Sequence, residues 1–236
     1  AVVCERKLWA CHLGPELGGA GYGQLKLALL NEILGRSRFG SIVFGCQAPD
    51  SGNAEILAHY GTPEQKQRYL QPLLRNDMVS CFSMTEPQGG ADPQVFTTQA
   101  EPDGDGWVIR GEKWFSSNAA FAGFFIVMAV TDADAAPYQR MSMFIVPAGT
   151  PGLRIVRNVQ VPGEPEATHA YVHREGVRVP AGARLGGRGQ AWPQTRKHQR
   201  QHPTIPFHVV SPDLVLARLA GQAPHALSLI SNTCRR

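Results

Sequence analysis

The 236-residue sequence has no apolar run long enough to cross a membrane as a helix. Its longest such run, residues 121–130, reaches only about half of the roughly 20 residues that a membrane-spanning helix needs. Residues 1–14 carry charges and a tryptophan among scattered apolar residues, so they do not resemble a secretory signal. We therefore expect no membrane association and a cytoplasmic location, with the mitochondrial matrix as the alternative.

Paired cysteines are also lacking. The five cysteines are widely scattered, at Cys4, Cys11, Cys46, Cys81 and Cys234. Zinc sites and disulfide frameworks use closer and more regular spacings, so reduced thiols are expected. His169 and His173 are four residues apart, but in the strand predicted there they would lie about 13 Å from each other. No metal site is expected.

Acidic residues are scarce near the end of the sequence. Residues 191–236 contain six Lys or Arg and a single acid, Asp213. The net charge of +4 therefore divides into +5 for this stretch and −1 for the first 190 residues. A nucleic-acid-binding protein should carry its basic patch on a folded domain. We expect no nucleic-acid partner.

The first part of the chain has the periodicity of helices. Apolar residues recur at three- and four-residue spacing, for example at Leu25, Leu29 and Ile33. The residues Thr-Pro-Glu-Gln at 62–65 supply an N-cap hydroxyl, a proline at the first helical position and a glutamine that can close a capping box. This pattern predicts a helix over residues 63–74. An N-terminal helical domain is expected to span 1–79.

From residue 80 the pattern changes to short β-prone runs separated by turns. Six strands are predicted, at residues 80–84, 96–100, 107–110, 124–130, 141–146 and 168–172. The residues Asp-Gly-Asp-Gly at 103–106 predict a hairpin. Residues 80–191 should form a β-barrel or β-sandwich, which gives an α+β fold class. The basic, proline- and histidine-rich residues 192–236 are predicted to be an atypical tail.

One segment between these elements has residues suited to a flavin. Such a cofactor needs hydrogen-bond donors near N1 and the C2 carbonyl, and a contact at N5. In Met-Thr-Glu-Pro-Gln-Gly-Gly-Ala-Asp at 84–92, Thr85 lies at a strand end, and Gly89 and Gly90 permit a close approach to phosphate. Taken alone, the segment is explained more simply as a strand-terminating loop.

The segment at 84–92 nevertheless resembles a signature of the acyl-CoA dehydrogenase family, which has Thr-Glu-Pro, two variable or small positions, Gly, Ser and Asp. Gly-Glu-Lys-Trp-Phe-Ser-Ser-Asn at 111–118 is similar to a second signature, Gly-x-Lys, two residues, Ile or Ser, Thr or Ser, and Asn. Further similar stretches extend the likeness to about residue 191. Within the second segment, Glu112 and Lys113 are expected to be exposed hairpin residues.

The resemblance implies FAD as the cofactor. The positions that it implies for cofactor binding are Phe82, Ser83, Met84, Thr85, Gly90, Ala91, Phe115, Ser116 and Ser117. Thr85 would supply a hydroxyl at the edge of the flavin ring, Phe115 would pack on the ring, and Ser117 would hydrogen-bond N5. Ala91 would lie beside the cofactor phosphates or the acyl-CoA substrate, and it replaces the usual serine.

The family's reaction is the α,β-dehydrogenation of an acyl-CoA thioester, with an electron-transferring flavoprotein as acceptor, in homo-oligomers of two or four chains. Its catalytic base is a glutamate in a C-terminal helical bundle. The prolines of residues 192–236 exclude such a bundle there. The residues around Asp213 do not support it as the base. The catalytic residue is therefore unknown. The alternative is a catalytically incomplete fragment or a non-catalytic module that binds flavin or acyl-CoA, and an oxidase or monooxygenase is a weaker third hypothesis.

Overall fold

Helices occupy the first part of the chain in a computed structural model that describes residues 2–17, 19–90, 92–162 and 164–191. They are α1 Val2–Glu5, α2 Gly23–Leu34, α3 Gly40–Val43, α4 Asp50–Tyr60, α5 Pro63–Gln65 and α6 Gln71–Leu74. The predicted tail at 192–236 lies outside the described residues. Helix α2 forms as expected, but its predicted apolar face, Leu25, Leu29 and Ile33, is exposed to solvent.

The helix predicted at 63–74 is confirmed. The Thr62 hydroxyl accepts a hydrogen bond from the Gln65 amide at 3.2 Å, and the Gln65 side-chain oxygen accepts one from the Thr62 amide at 2.9 Å. From this capping box, α5 continues through a π-helical turn, Lys66–Leu70, into α6. The Gln65 side-chain nitrogen also donates to the carbonyls of Gly182 and Arg184, at 2.8 and 3.1 Å.

The strands form one mixed sheet of parallel and antiparallel pairs. Its strands are β1 Ser80–Ser83, β2 Gln99–Asp103, β3 Gly106–Ser117, β4 Phe124–Val130, β5 Met141–Pro147, β6 Leu153–Val161, β7 Glu164–Pro180 and β8 Arg184–Leu185. The order is β6-β7-β3-β2-β4-β5-β8, and β1 pairs in parallel with β4. This confirms the α+β class and the hairpin between β2 and β3. Within the described residues β6 and β8 remain edges, so the closed-barrel alternative is wrong.

The sheet folds over itself into two layers. Every residue of β4 is buried, as expected for a strand covered on both faces. Its residues 124, 126, 128 and 130 pack with the helices, whereas 125, 127 and 129 pack with β3 and β7. The rings of Trp107 in β3 and Phe144 in β5 lie 5.3 Å apart, although two strands separate β3 from β5 in the sheet order. Only a sharply bent sheet allows this contact.

A buried arginine lies between these two layers. The Arg174 guanidinium in β7 is almost completely buried, and its Nη2 donates to the Ser83 hydroxyl at 2.9 Å. Its Nε and Nη1 have no hydrogen-bond partner among the described residues. Burial lowers the pKa of Arg174 to about 10, against the opposing effects of Cys81 and Glu86. An incompletely paired buried charge is destabilising.

We predict that Arg174→Met stabilises the fold, because methionine is unbranched, comparable in volume and has no hydrogen-bond donors that must be satisfied. Replacing buried charges by packed apolar side chains often adds about 1–4 kcal/mol to the free energy of unfolding. Urea denaturation followed by circular dichroism measures the difference. Arg178→Met is the matched control, since Arg178 lies on the same strand in an exposed pair with Asp103. Equal stability of both variants and the wild type would contradict the prediction.

Candidate functional site

The two family-like segments lie side by side in the structure. The Thr85 carbonyl accepts a hydrogen bond from the Trp114 amide at 2.8 Å. The hydroxyls of Ser83 and Ser116 hydrogen-bond to each other at 2.7 Å in the interior. The end of β1 and the C-terminal part of β3 therefore form one continuous piece of structure.

A buried ion pair joins the two segments more firmly. Lys113 Nζ donates to Glu86 Oε1 at 2.8 Å and to the Met84 carbonyl at 2.7 Å, and both charged side chains are completely buried. Glu86 also accepts hydrogen bonds from the main-chain amides of Thr97 and Thr98, at 2.7 and 3.0 Å. The carboxylate thereby connects β1, β3 and the segment before β2.

The surroundings keep this pair ionised at neutral pH. Burial alone would raise the pKa of the Glu86 carboxyl, but the Lys113 ammonium and the hydrogen-bond donors lower it to about 2. Burial lowers the pKa of Lys113 to about 8, although Glu86 opposes that shift. The expectation that Lys113 is an exposed hairpin residue is wrong, because its partner at 86 is brought beside it only by the fold. Glu112 is half-buried and accepts a hydrogen bond from the Tyr171 hydroxyl.

A β-bulge directs the next side chains outward. Lys113 pairs with Val172 and Ser116 pairs with Ala170, so Trp114 and Phe115 together lie opposite the one residue between those partners. Phe115 has a left-handed backbone with φ +51°. The extra residue shifts the alternation of the strand, as bulges beside functional sites do. Lys113 and Ser116 both face the interior as a result, and Trp114, Phe115 and Ser117 are left half-buried or exposed.

The outward side chains form an aromatic surface with a hydroxyl at its edge. Phe115 is 43% exposed and contacts Trp114 edge to face at 5.7 Å. Its ring also lies 6.0 Å from that of His169, and His169 Nδ1 is 2.7 Å from the Ser117 hydroxyl. The Arg157 guanidinium covers the Trp114 ring at 4.8 Å. Such a surface suits a planar ring system whose edge carries hydrogen-bonding atoms.

The other predicted cofactor residues divide into three groups. Phe82 and Met84 are half-buried and pack against the helix-side core. Ser83 and Ser116 are fully buried and their hydroxyls bond to each other, so neither residue offers an accessible atom to a ligand. Gly90 is exposed with φ +55° and open space where a Cβ would lie, which leaves room for close approach. Ala91 lies outside the described residues. The predicted contacts of these residues with a cofactor stay predictions.

Sequence reasoning missed Trp114, His169 and Arg174 as part of this region. In the sequence, His169 and His173 were considered only as possible metal ligands. Among the residues described, no group of three or more metal-ligating side chains occurs. Helices long and apolar enough for a membrane span are likewise missing from the described part of the chain. The place of His169 in this region could have been recognised only from its pairing with Ser117, and that pairing depends on the bulge in β3.

Two family models match consecutive parts of the chain. The N-terminal domain of acyl-CoA dehydrogenases matches residues 2–77, and the middle domain matches residues 81–177. The chain belongs to the acyl-CoA dehydrogenase family.

Relatives and solved structures agree with this assignment. The chicken protein acyl-CoA dehydrogenase family member 11 is 43% identical over 176 residues, which is 72% of this chain and 23% of that protein. The probable acyl-CoA dehydrogenase FadE2 of Mycobacterium tuberculosis is 37% identical, over 98% of this chain and 55% of that protein. A structure of a putative acyl-CoA dehydrogenase from Mycobacterium abscessus is 38% identical, with a TM-score of 0.78 over 83% of this chain and 49% of that one.

These shares have two consequences. The chain spans only about a quarter to a half of the length of these relatives. The alignment with the Mycobacterium tuberculosis protein covers 98% of this chain and therefore extends beyond residue 191. The sequence motifs predicted that the similarity would end near that residue.

We predict that Glu86→Gln lowers the free energy of unfolding by about 3–5 kcal/mol at neutral pH, because it leaves the Lys113 charge buried without a counter-charge. The folded pKa of Glu86, about 2, is below its ordinary value of 4.5. The stabilisation by its carboxylate is therefore fully present above pH 4.5 and is lost as the pH falls towards 2. Urea denaturation at several pH values should show a weaker acid dependence in the variant.

The control for this experiment is Glu101→Gln. Glu101 pairs with Arg110 at 3.1 Å on the surface, and both side chains are exposed. Removing such a pair should change the free energy of unfolding by less than about 1 kcal/mol. A Glu86 variant that behaves like this control would show that the buried pair does not hold the two segments together.

The glycine that opens the second segment is required by close packing. Gly111 has φ +135°, and a Cβ there would lie 2.6 Å from the Cα of Thr98. We predict that Gly111→Ala destabilises the fold by about 2–4 kcal/mol through backbone strain and this collision. Gly149 also has a positive φ, +78°, but a new methyl group there would meet open space. Gly149→Ala should therefore lower the free energy of unfolding by about 1 kcal/mol, from backbone strain alone. Thermal unfolding of both variants compares them, and equal losses would refute the packing argument.

Proposed function

We propose that this chain is the FAD-binding part of an enzyme that dehydrogenates an acyl-CoA thioester at its α and β carbons. Family membership implies a flavin cofactor. The observation that carries the proposal is the junction of the two segments. The buried Glu86–Lys113 pair and the hydrogen bond from the Trp114 amide to the Thr85 carbonyl join the segment of Thr85 to the one that carries the outward-facing Phe115 and Ser117. Thr85, Phe115 and Ser117 are among the residues to which the resemblance assigns contacts with the ring.

The residues at this junction fit a flavin chemically. The exposed face of Phe115 offers an apolar surface for an aromatic ring. Ser117 offers a small hydroxyl at the edge of that surface, and Thr85, whose carbonyl accepts from the Trp114 amide, carries a second one in the adjoining segment; such groups suit the polar atoms of an isoalloxazine. Gly90, with open space beside its backbone, suits a neighbouring phosphate. When bound, FAD supplies the acceptor for the hydride removed from the substrate.

The protein residues have the tasks of binding and orientation in this proposal. Phe115 holds the plane of the ring, and Ser117 directs a hydrogen bond to its N5 edge. The Glu86–Lys113 pair keeps the segments of Thr85 and Phe115 at a fixed separation, because both ions are anchored by main-chain groups. The base, the acyl-CoA substrate, an electron-transferring flavoprotein as acceptor and a homo-oligomeric assembly belong to the proposed activity of the whole protein.

Reconstitution with FAD tests this proposal. We expect the purified chain to take up FAD and to show the visible absorption of a bound flavin. Phe115→Ala should weaken FAD binding about 3- to 10-fold through loss of ring contact. Phe121→Ala is the matched control, since the Phe121 side chain is 68% exposed and the residue's link to the second segment is a main-chain hydrogen bond to the Asn118 carbonyl, at 2.9 Å, which the substitution leaves in place. Fluorescence titration gives the dissociation constants.

Three outcomes of this experiment distinguish the hypotheses. A chain that remains colourless after reconstitution would exclude both flavin-based functions. A yellow chain that is bleached by acyl-CoA under anaerobic conditions supports dehydrogenation. If FAD binds but acyl-CoA does not bleach it, the chain tested is a flavin-binding module without the catalytic step.

A further inference from the structure

Ser117 and His169 form a cross-strand pair beside the aromatic surface. They are directly opposite in the register of β3 and β7, and the Ser117 hydroxyl lies 2.7 Å from His169 Nδ1. Both residues are half-buried. The His169 ring also stands nearly perpendicular to the ring of Phe115, at 75°. Its position is therefore defined by a hydrogen bond on one side and a ring contact on the other.

The chemistry of the pair limits the direction of its hydrogen bonds. A serine hydroxyl has one proton to donate and can accept through its lone pairs. Histidine Nδ1 donates when it carries a proton and accepts when it does not. If Ser117 donates its proton to an acceptor on the outer surface, its hydrogen bond with His169 can form only when Nδ1 carries a proton and donates it to the Ser117 oxygen.

We propose that His169 is a positioning residue that turns the Ser117 proton towards N5 of the flavin. The inference depends on the proposed function, in which Ser117 is placed at N5. Oxidised N5 is an acceptor and needs that proton, whereas N5 of the reduced flavin carries a hydrogen and can donate to the Ser117 oxygen without help from His169. The histidine therefore stabilises the oxidised cofactor more than the reduced one.

Four single variants of the full chain test this role. His169→Ala removes the Nδ1 donor, and His169→Gln carries its amide too far along the side chain to replace it. His169→Asn can place an amide nitrogen close to the position of Nδ1. His173→Ala is the matched control, because His173 lies on the same strand and its Nδ1 contacts Glu175 at 3.0 Å instead of Ser117.

The readouts are the dissociation constant for oxidised FAD and the midpoint potential of the bound flavin. We expect His169→Ala and His169→Gln to weaken oxidised FAD about 5- to 10-fold, and His169→Asn to restore most of this loss. A tenfold loss confined to the oxidised form raises the midpoint potential by about 30 mV. His173→Ala should match the wild type in both measurements.

A double-mutant cycle separates this role from a merely structural one. In a Ser117→Ala background, His169→Ala should have no further effect on FAD binding. If His169→Ala, His169→Gln and His173→Ala all bind FAD with wild-type affinity and potential, the inference is wrong while the proposed function stands. If the wild type itself binds no FAD, the proposed function fails and the inference fails with it.

Discussion

The buried ion pair between Glu86 and Lys113 is the interaction on which the site depends. Two charges removed from water are stable only when their remaining hydrogen-bonding groups are also satisfied. Glu86 meets this condition through the amides of Thr97 and Thr98, and Lys113 through the carbonyl of Met84. Three separate stretches of backbone must therefore be in place at once. We therefore expect the pair to fix the arrangement of these three stretches.

The bulge in β3 explains how one strand serves both the interior and the outer surface. A regular strand would place Phe115 and Ser117 on the same face as Lys113. The extra residue turns both outward while Ser116 returns to the interior. The left-handed backbone at Phe115 is the local strain that this arrangement requires. The apolar surface and the anchoring charge can thus be neighbours in sequence and still face opposite sides.

Local signals in the sequence predicted much of the fold. The capping box predicted the helix at 63–74, and the apolar run at 124–130 matched β4 residue for residue. Strand β6 was missed because most of its side chains are exposed, so it lacks an apolar pattern. Lys113 was misjudged because its partner is 27 residues away, and the fold alone brings the two together. The pairing of Ser117 with His169 likewise depends on a register that no local pattern encodes.

Gln65 makes hydrogen bonds both within the helical segment and to residues far along the chain, which affects how the chain folds. Its side chain accepts from the Thr62 amide at the start of α5 and also donates to the carbonyls of Gly182 and Arg184, more than a hundred residues later. The core that covers the helices is likewise built largely from β4 and β5. During synthesis, the contacts of the helical segment with these carbonyls are therefore complete only after residues 182–184 have been made. The helices and the sheet therefore share contacts that neither part can make alone.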